Sequence, residues 1–177
     1  LPWDSGYTVE AIENYYDKIG FSDYVNKLSR TPMLKAQHPD FELAQMGIHA
    51  RRGVSCGECH MPYVEEELRS YNNHHIQSPL AMIEKTCQTC HHESAEVLRQ
   101  DVYTRQNKAM ELRNKLEKEL AKAHIEAQFA WDRGVSDNQM EPVLKLLRQA
   151  QWRWDFAIAS HGAAFHAPQE VQRILGD

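Results

Sequence analysis

The chemistry available to this 177-residue chain lies in its four cysteines and ten histidines. All four cysteines fall in two units, Cys56-Gly57-Glu58-Cys59-His60 and Cys87-Gln88-Thr89-Cys90-His91. Each reads C-x-x-C-H, the spacing by which haem c is attached. Two thiols three residues apart can each form a thioether to one vinyl side of a porphyrin. The histidine that follows is then carried under the iron as an axial ligand. The same four thiols could instead make a C-x-x-C…C-x-x-C zinc site. A histidine directly after both pairs favours two covalent haems. With the cysteines committed to porphyrin, no disulfide is expected even in an oxidising compartment. Eight histidines remain: His38, His49, His74, His75, His92, His124, His161 and His166. Two six-coordinate irons would use two of them as distal ligands.

A net charge of −5 and a pI near 6.1 argue against a nucleic-acid partner. No apolar run approaches the roughly 18 residues needed to cross a bilayer, so a soluble chain is expected. The length fits one domain, or one substantial piece of a larger one. The sequence begins Leu1-Pro2-Trp3. Because haem c is attached outside the bacterial cytoplasm, a targeting segment is expected to have preceded it.

These ligands must be positioned by a mostly helical frame. Val9, Ile12, Tyr15, Tyr16 and Ile19 recur at helical spacing, with Gly20 ending the run. Ser22 suits the cap of a second short core helix carrying Val25 and Leu28. Residues 31–55, punctuated by Pro32, Pro39, Gly47 and Gly53, read as irregular. Glu65-Glu66-Glu67 reads as a solvated charge run, residues 71–75 as a polar loop, and 79–86 as one or two helical turns. From about Ser94 to Trp131, apolar residues at threes and fours predict one long amphipathic helix, ended by Gly134. Ser136 and Gln139 fit a capping box for the next helix, in which Pro142 predicts a late start or a kink. Ala167-Pro168 opens a last short helix containing Val171, Ile174 and Leu175. No strand alternation is evident. The expected organisation is a haem-binding region over 1–92, and a helical hairpin with a terminal segment over 93–177, forming one compact unit. A helix of more than thirty residues is far above the usual ~11–12, which suggests packing against a partner chain.

Several stretches together are similar to the ammonia-forming cytochrome c nitrite reductases, a pentahaem family. They are Lys35-Ala36-Gln37-His38-Pro39, Gly47-Ile48-His49, the two haem motifs, Ala150-Gln151-Trp152-Arg153-Trp154-Asp155, Ser160-His161-Gly162 and His166-Ala167-Pro168. The resemblance runs from Leu1 to Asp177 and covers the family's C-terminal part, with its last two haems. The family's lysine-ligated catalytic haem, attached through C-x-x-C-K, has no counterpart in this sequence, nor do its other C-x-x-C-H units or its active-site arginine and tyrosine.

The resemblance implies a mainly α multihaem cytochrome c with haem-wrapping loops and a long C-terminal helical hairpin. It implies His166 as distal ligand of the haem on Cys56, Cys59 and His60, and His49 as that of the haem on Cys87, Cys90 and His91. His74, or its neighbour His75, would ligate a haem whose attachment motif lies elsewhere. His38 would stand above the catalytic haem. Lys35, through its carbonyl, and Gln37 would contact calcium. His92, His124 and His161 are expected to be structural, and Trp152 and Trp154 to be core. The implied function is electron transfer by two haems within a periplasmic enzyme that reduces nitrite to ammonium. Its implied partners are a missing N-terminal haem-binding part, a second copy docked along the long helix, and a periplasmic or membrane-anchored cytochrome donor. The chain alone is expected to be inactive and to hold calcium weakly or not at all. A free-standing dihaem electron carrier is the alternative.

Overall fold

A computed structural model describes residues 3–176; Leu1, Pro2 and Asp177, which the resemblance spans, lie outside the described residues. After a single 3-10 turn, Thr8 opens helix α1 (Val9–Lys18) by accepting the Ala11 N–H on its side chain. Val9 and Ile12 are fully buried, whereas Ile19, expected to continue the core face, is the C-cap and 55% exposed.

Residues 22–31 do not form the expected second helix. Strands β1 (Tyr24–Val25) and β2 (Pro32–Met33) pair as a short antiparallel hairpin, with Val25 and Leu28 exposed. The cause is the turn chemistry of Asn26, whose side-chain oxygen takes the N–H groups of Leu28 and Ser29. The turn then docks. Ser29 Oγ meets Thr31 Oγ1 and His124 Nδ1, each at 2.8 Å, and the Ser29 carbonyl accepts the Trp131 indole N–H at 2.8 Å. Arg30, in the left-handed region, lays its guanidinium over the Trp131 ring at 4.8 Å.

His124 therefore has the structural role expected of it, with burial holding its pKa below the ordinary imidazole value. Unfolding releases it to an ordinary value near 6.5. As pH falls through that value the unfolded chain binds the extra proton, so stability declines on acidification. A His124→Gln variant should flatten the fall in thermal midpoint between pH 7.5 and 5.5; an unchanged slope would remove His124 as its source.

Residues 31–55 are more regular than the breakers suggest. They contain α2 (Asp40–Met46) and α3 (Ile48–Arg51), separated by Gly47. The first haem motif is itself a helix, α4 (Cys56–His60). Strands β3 (Tyr63–Glu66) and β4 (Arg69–Asn72) follow as a second hairpin, turning at Glu67 with φ of 55°. The acidic run is exposed, as expected of a solvated charge run, and Tyr71 and Asn72, expected in a polar loop, belong to β4. Two 3-10 segments, Pro79–Lys85 and Cys87–Thr89, lead through the second motif.

The long helix α5 (Ala95–Asp132) starts from Ser94, whose hydroxyl caps the Val97 N–H. Helix α6 (Asp137–Ile158) opens with the expected Ser136–Gln139 capping box. Its start is not late and it runs unbroken through Pro142. The Asn138 carbonyl that loses a partner there is on an exposed turn, where water can satisfy it. Helices α7 (Ala163–His166) and α8 (Pro168–Gly176) close the chain, with Val171, Ile174 and Leu175 buried.

The main core joins α1, Leu34, Leu43, α6 and α8 around Trp152 and Phe156, both fully buried. Three polar anchors tie α6 across it. Trp152 donates its indole N–H to the Val9 carbonyl, Arg153 pairs with the buried Glu13, and Arg148 bonds Asp17 and the carbonyls of Phe21 and Pro32. Burial raises the Glu13 pKa even against Arg153.

Candidate haem sites

In α4 the i, i+3, i+4 spacing carries Cys56, Cys59 and His60 on one side of a single turn. Glu58, inside the motif, returns to accept the Ser55 N–H at 2.6 Å, and with Ser55 forms a capping box. The second motif begins in a 3-10 turn. There Thr86 Oγ1 donates within reach of the Pro79 and Met82 carbonyls, and Thr89 Oγ1 donates to the Thr86 carbonyl. The two motifs adjoin: the charges of Cys87 and Cys90 act on Cys59, whose thiol pKa is raised chiefly by burial.

All four thiols are free, and Cys56 and Cys90 are exposed. Free cysteine is ordinarily among the most buried residue types, so exposed thiols at this spacing fit a covalent group lying over them. Among the described residues no group of three or more His, Cys, Asp or Glu is disposed to hold a metal ion.

Each motif histidine faces a second imidazole from a distant part of the chain. His60 and His166 have ring centroids 6.2 Å apart with planes at 74°, and His49 and His91 are 6.2 Å apart at 72°. Two metal–imidazole bonds of about 2.0–2.1 Å, extended by a ring radius of roughly 1.1 Å at each end, put trans ligands about 6.3 Å apart. The 6.2 Å separations leave room for a metal ion between the two rings of each pair.

The surroundings act on these rings through hydrogen bonds and burial. The Gln77 carbonyl can only accept, so at 2.9 Å it fixes the proton of His60 on Nδ1 and leaves the Nε2 lone pair free. His91 Nδ1 faces Glu93 at 3.8 Å. Burial lowers the pKa of His166 and of His49, and His91 and Arg105 lower His49 further. Both are thus neutral imidazoles at neutral pH, the form that binds metal. His166 Nδ1 is buried without a hydrogen-bond partner.

Space around His166 is set by two glycines. A Cβ on Gly162 would come 2.3 Å from His166 Cε1, and one on Gly47 would come 1.8 Å from the His166 carbonyl oxygen. Gly162 is itself held by Asp40, which accepts its N–H at 3.3 Å and the Ser160 hydroxyl at 2.6 Å. Sequence reasoning missed Gln77, Glu93, Asp40 and the steric role of both glycines. Only Gly47 and Gly162, which flank the histidine segments, carried any signal.

The remaining candidates lie outside these pairs. His38 is exposed, has φ of 52° and packs edge-on to His161 at 6.1 Å. Lys35 and Gln37 are exposed, while Leu34 and Ala36 alternate inward. The segment is held by two carboxylates: Asp23 accepts the Lys35 N–H at 2.8 Å and Asp155 the Ala36 N–H at 2.6 Å. His74 and His75 are exposed beyond β4, and His92 is exposed beside the second motif.

A mainly helical chain with two C-x-x-C-H units ahead of a long helical hairpin has the fold of a multihaem c-type cytochrome. The Cytochrome c552 family profile matches residues 1–177. The chain belongs to the cytochrome c552 family, which implies covalently bound haem c. It is 69% identical over 177 residues to cytochrome c-552 of Parabacteroides distasonis, and 48% identical over 176 residues to that of Haemophilus influenzae. These alignments take in 100% and 99% of this chain but 36% and 33% of the relatives, so it spans about a third of their length. Its fold also resembles the cytochrome c nitrite reductase of Desulfovibrio desulfuricans, with a TM-score of 0.91 and 32% identity over 99% of this chain and 40% of that one. That protein is described as a catalytic subunit with two calcium sites. Among the described residues no helix is long and apolar enough to cross a membrane.

Proposed function

We propose that this chain is the two-haem electron-transfer portion of a periplasmic, ammonia-forming cytochrome c nitrite reductase. Its haems would be held by Cys56, Cys59, His60 and His166, and by Cys87, Cys90, His91 and His49. The observation that carries this reading is the pair of facing imidazoles, each 6.2 Å apart, one member of each supplied by a C-x-x-C-H unit. Bound haem supplies a one-electron iron couple, and an iron with both axial positions filled has no place for substrate. The protein's part is to hold four imidazoles in place: Gln77 orients His60, burial lowers the pKa of His49 and His166, and Gly47 and Gly162 leave room for His166.

The other groups fit the same reading. Nitrite chemistry would belong to a lysine-ligated haem in the N-terminal part of the enzyme, to which this chain contributes His38 as proton donor or electrostatic stabiliser. Its left-handed backbone, which costs about 1–2 kcal/mol, is the kind of local strain that gathers at functional sites. His74 would ligate a haem attached in that same missing part. Lys35 and Gln37 would give calcium two neutral oxygens of the ~6–8 it takes, so binding to this chain alone should be weak. Homodimerisation along α5 is supported by its length and by the exposure of Val97, Tyr103 and Met110. Electrons would come from a periplasmic or membrane-anchored cytochrome.

The haem-loaded chain should take up electrons from a strong reductant and produce no ammonium from nitrite. Sustained nitrite reduction by purified material free of any longer polypeptide would overturn the assignment.

A further inference from the structure

Between the two histidine pairs lies Phe165, a residue to which neither the motifs nor the family resemblance gives a role. Its ring stacks on His49, with centroids 5.4 Å apart and planes 23° from parallel, and meets His166 at 6.3 Å and 63°. Four ring contacts therefore run in series from His91 to His49, Phe165, His166 and His60. The backbones interlock as well. Gly47, two residues before His49, lies against the carbonyl of His166, so the two distal segments cannot shift independently.

An imidazole does not fix its own plane, because its terminal torsion is broad and soft. A hydrogen bond does this for the proximal His60. For His49 the flat contact is the face of Phe165. The plane matters because the π orbital of a ligating imidazole stands perpendicular to it. The angle between the two axial rings then sets how the iron d orbitals split, an outer-shell effect on the metal of the kind that tunes its electronics.

We propose that Phe165 is a positioning residue that sets the plane of the His49 ring and joins both distal imidazoles into one unit, fixing the ligand geometry of two neighbouring haems together. This rests on the bis-histidine reading above. It extends that reading to a residue that touches no iron. Leucine at this position keeps apolar volume and loses the flat face; tyrosine keeps the face.

The test is low-temperature electron paramagnetic resonance of the haem-loaded protein, wild type against Phe165→Leu and Phe165→Tyr, with optical spectra recorded in parallel. All three should keep two low-spin haems. In Phe165→Leu the low-spin signal of the haem on His49 and His91 should shift and broaden, that of the haem on His60 and His166 should shift less, and Phe165→Tyr should match the wild type. If the leucine variant does not retain both haems, Phe165→Met is read in the same way. A leucine or methionine signal superimposable on the wild type overturns the proposal, as does a tyrosine signal displaced equally far. High-spin iron in the wild type would sink the bis-histidine reading and this proposal with it, whereas a low-spin wild type with unmoved variants sinks this proposal alone.

Discussion

His166→Ala is expected to leave one of the two proposed haems low-spin and to convert the other to a high-spin, five-coordinate spectrum. The expectation follows from where His166 sits. Its ring faces His60 with centroids 6.2 Å apart, and Asp40, Gly47 and Gly162 shape the space around it. Alanine keeps the backbone of α7 and removes only the ring, leaving the His49–His91 pair in place. About half of the haem absorbance should therefore change. A spectrum identical to wild type would remove His166 as a ligand, and conversion of both haems would mean that the two sites are not separable.

Gly47→Ala has the largest expected effect on folding. The backbone at Gly47, with φ of −80° and ψ of 161°, is one that any residue adopts, so conformational strain is not the reason. Space is. A Cβ there would fall 1.8 Å from the carbonyl oxygen of His166, a backbone atom that cannot rotate away. Relieving the overlap means separating α3 from α7, and with them the two distal histidines. Overpacking of this kind costs about 3 kcal/mol or more. Gly134→Ala is the internal comparison. Its φ is 79° but nothing lies within 4 Å, so only the left-handed penalty of about 1–2 kcal/mol applies. Denaturant unfolding should rank Gly47→Ala well below Gly134→Ala in stability, and equal losses would show that the contact yields easily.

What could be read from the sequence and what could not divide along a physical line. The haem motifs and the hairpin of α5 and α6 were legible because their signals are local: a thiol spacing, a 3.6-residue period, a stop at Gly134 and a capping box at Ser136. The turn after Ser22 was misread because its structure comes from the side chain of Asn26 and from docking on His124 and Trp131, nearly a hundred residues away. The β3–β4 hairpin escaped notice because Glu65–Glu67 lack the apolar alternation that marks a half-buried strand; only Val64 points inward. The pairing of His60 with His166 and of His91 with His49 has no signature in spacing at all. It came from family resemblance, and the rings of each pair lie with centroids 6.2 Å apart. Phe165 carried no signal, since its contacts exist only once α3 and α7 pack.

The central claim, two covalent haems on one chain, is tested most directly by the mass of the intact polypeptide under denaturing conditions, after expression in a host that attaches haem c. The account predicts a single species at the 20.5 kDa polypeptide plus two haems, with no thiol left to alkylate. A bare polypeptide, or one haem with two reactive cysteines remaining, would contradict it.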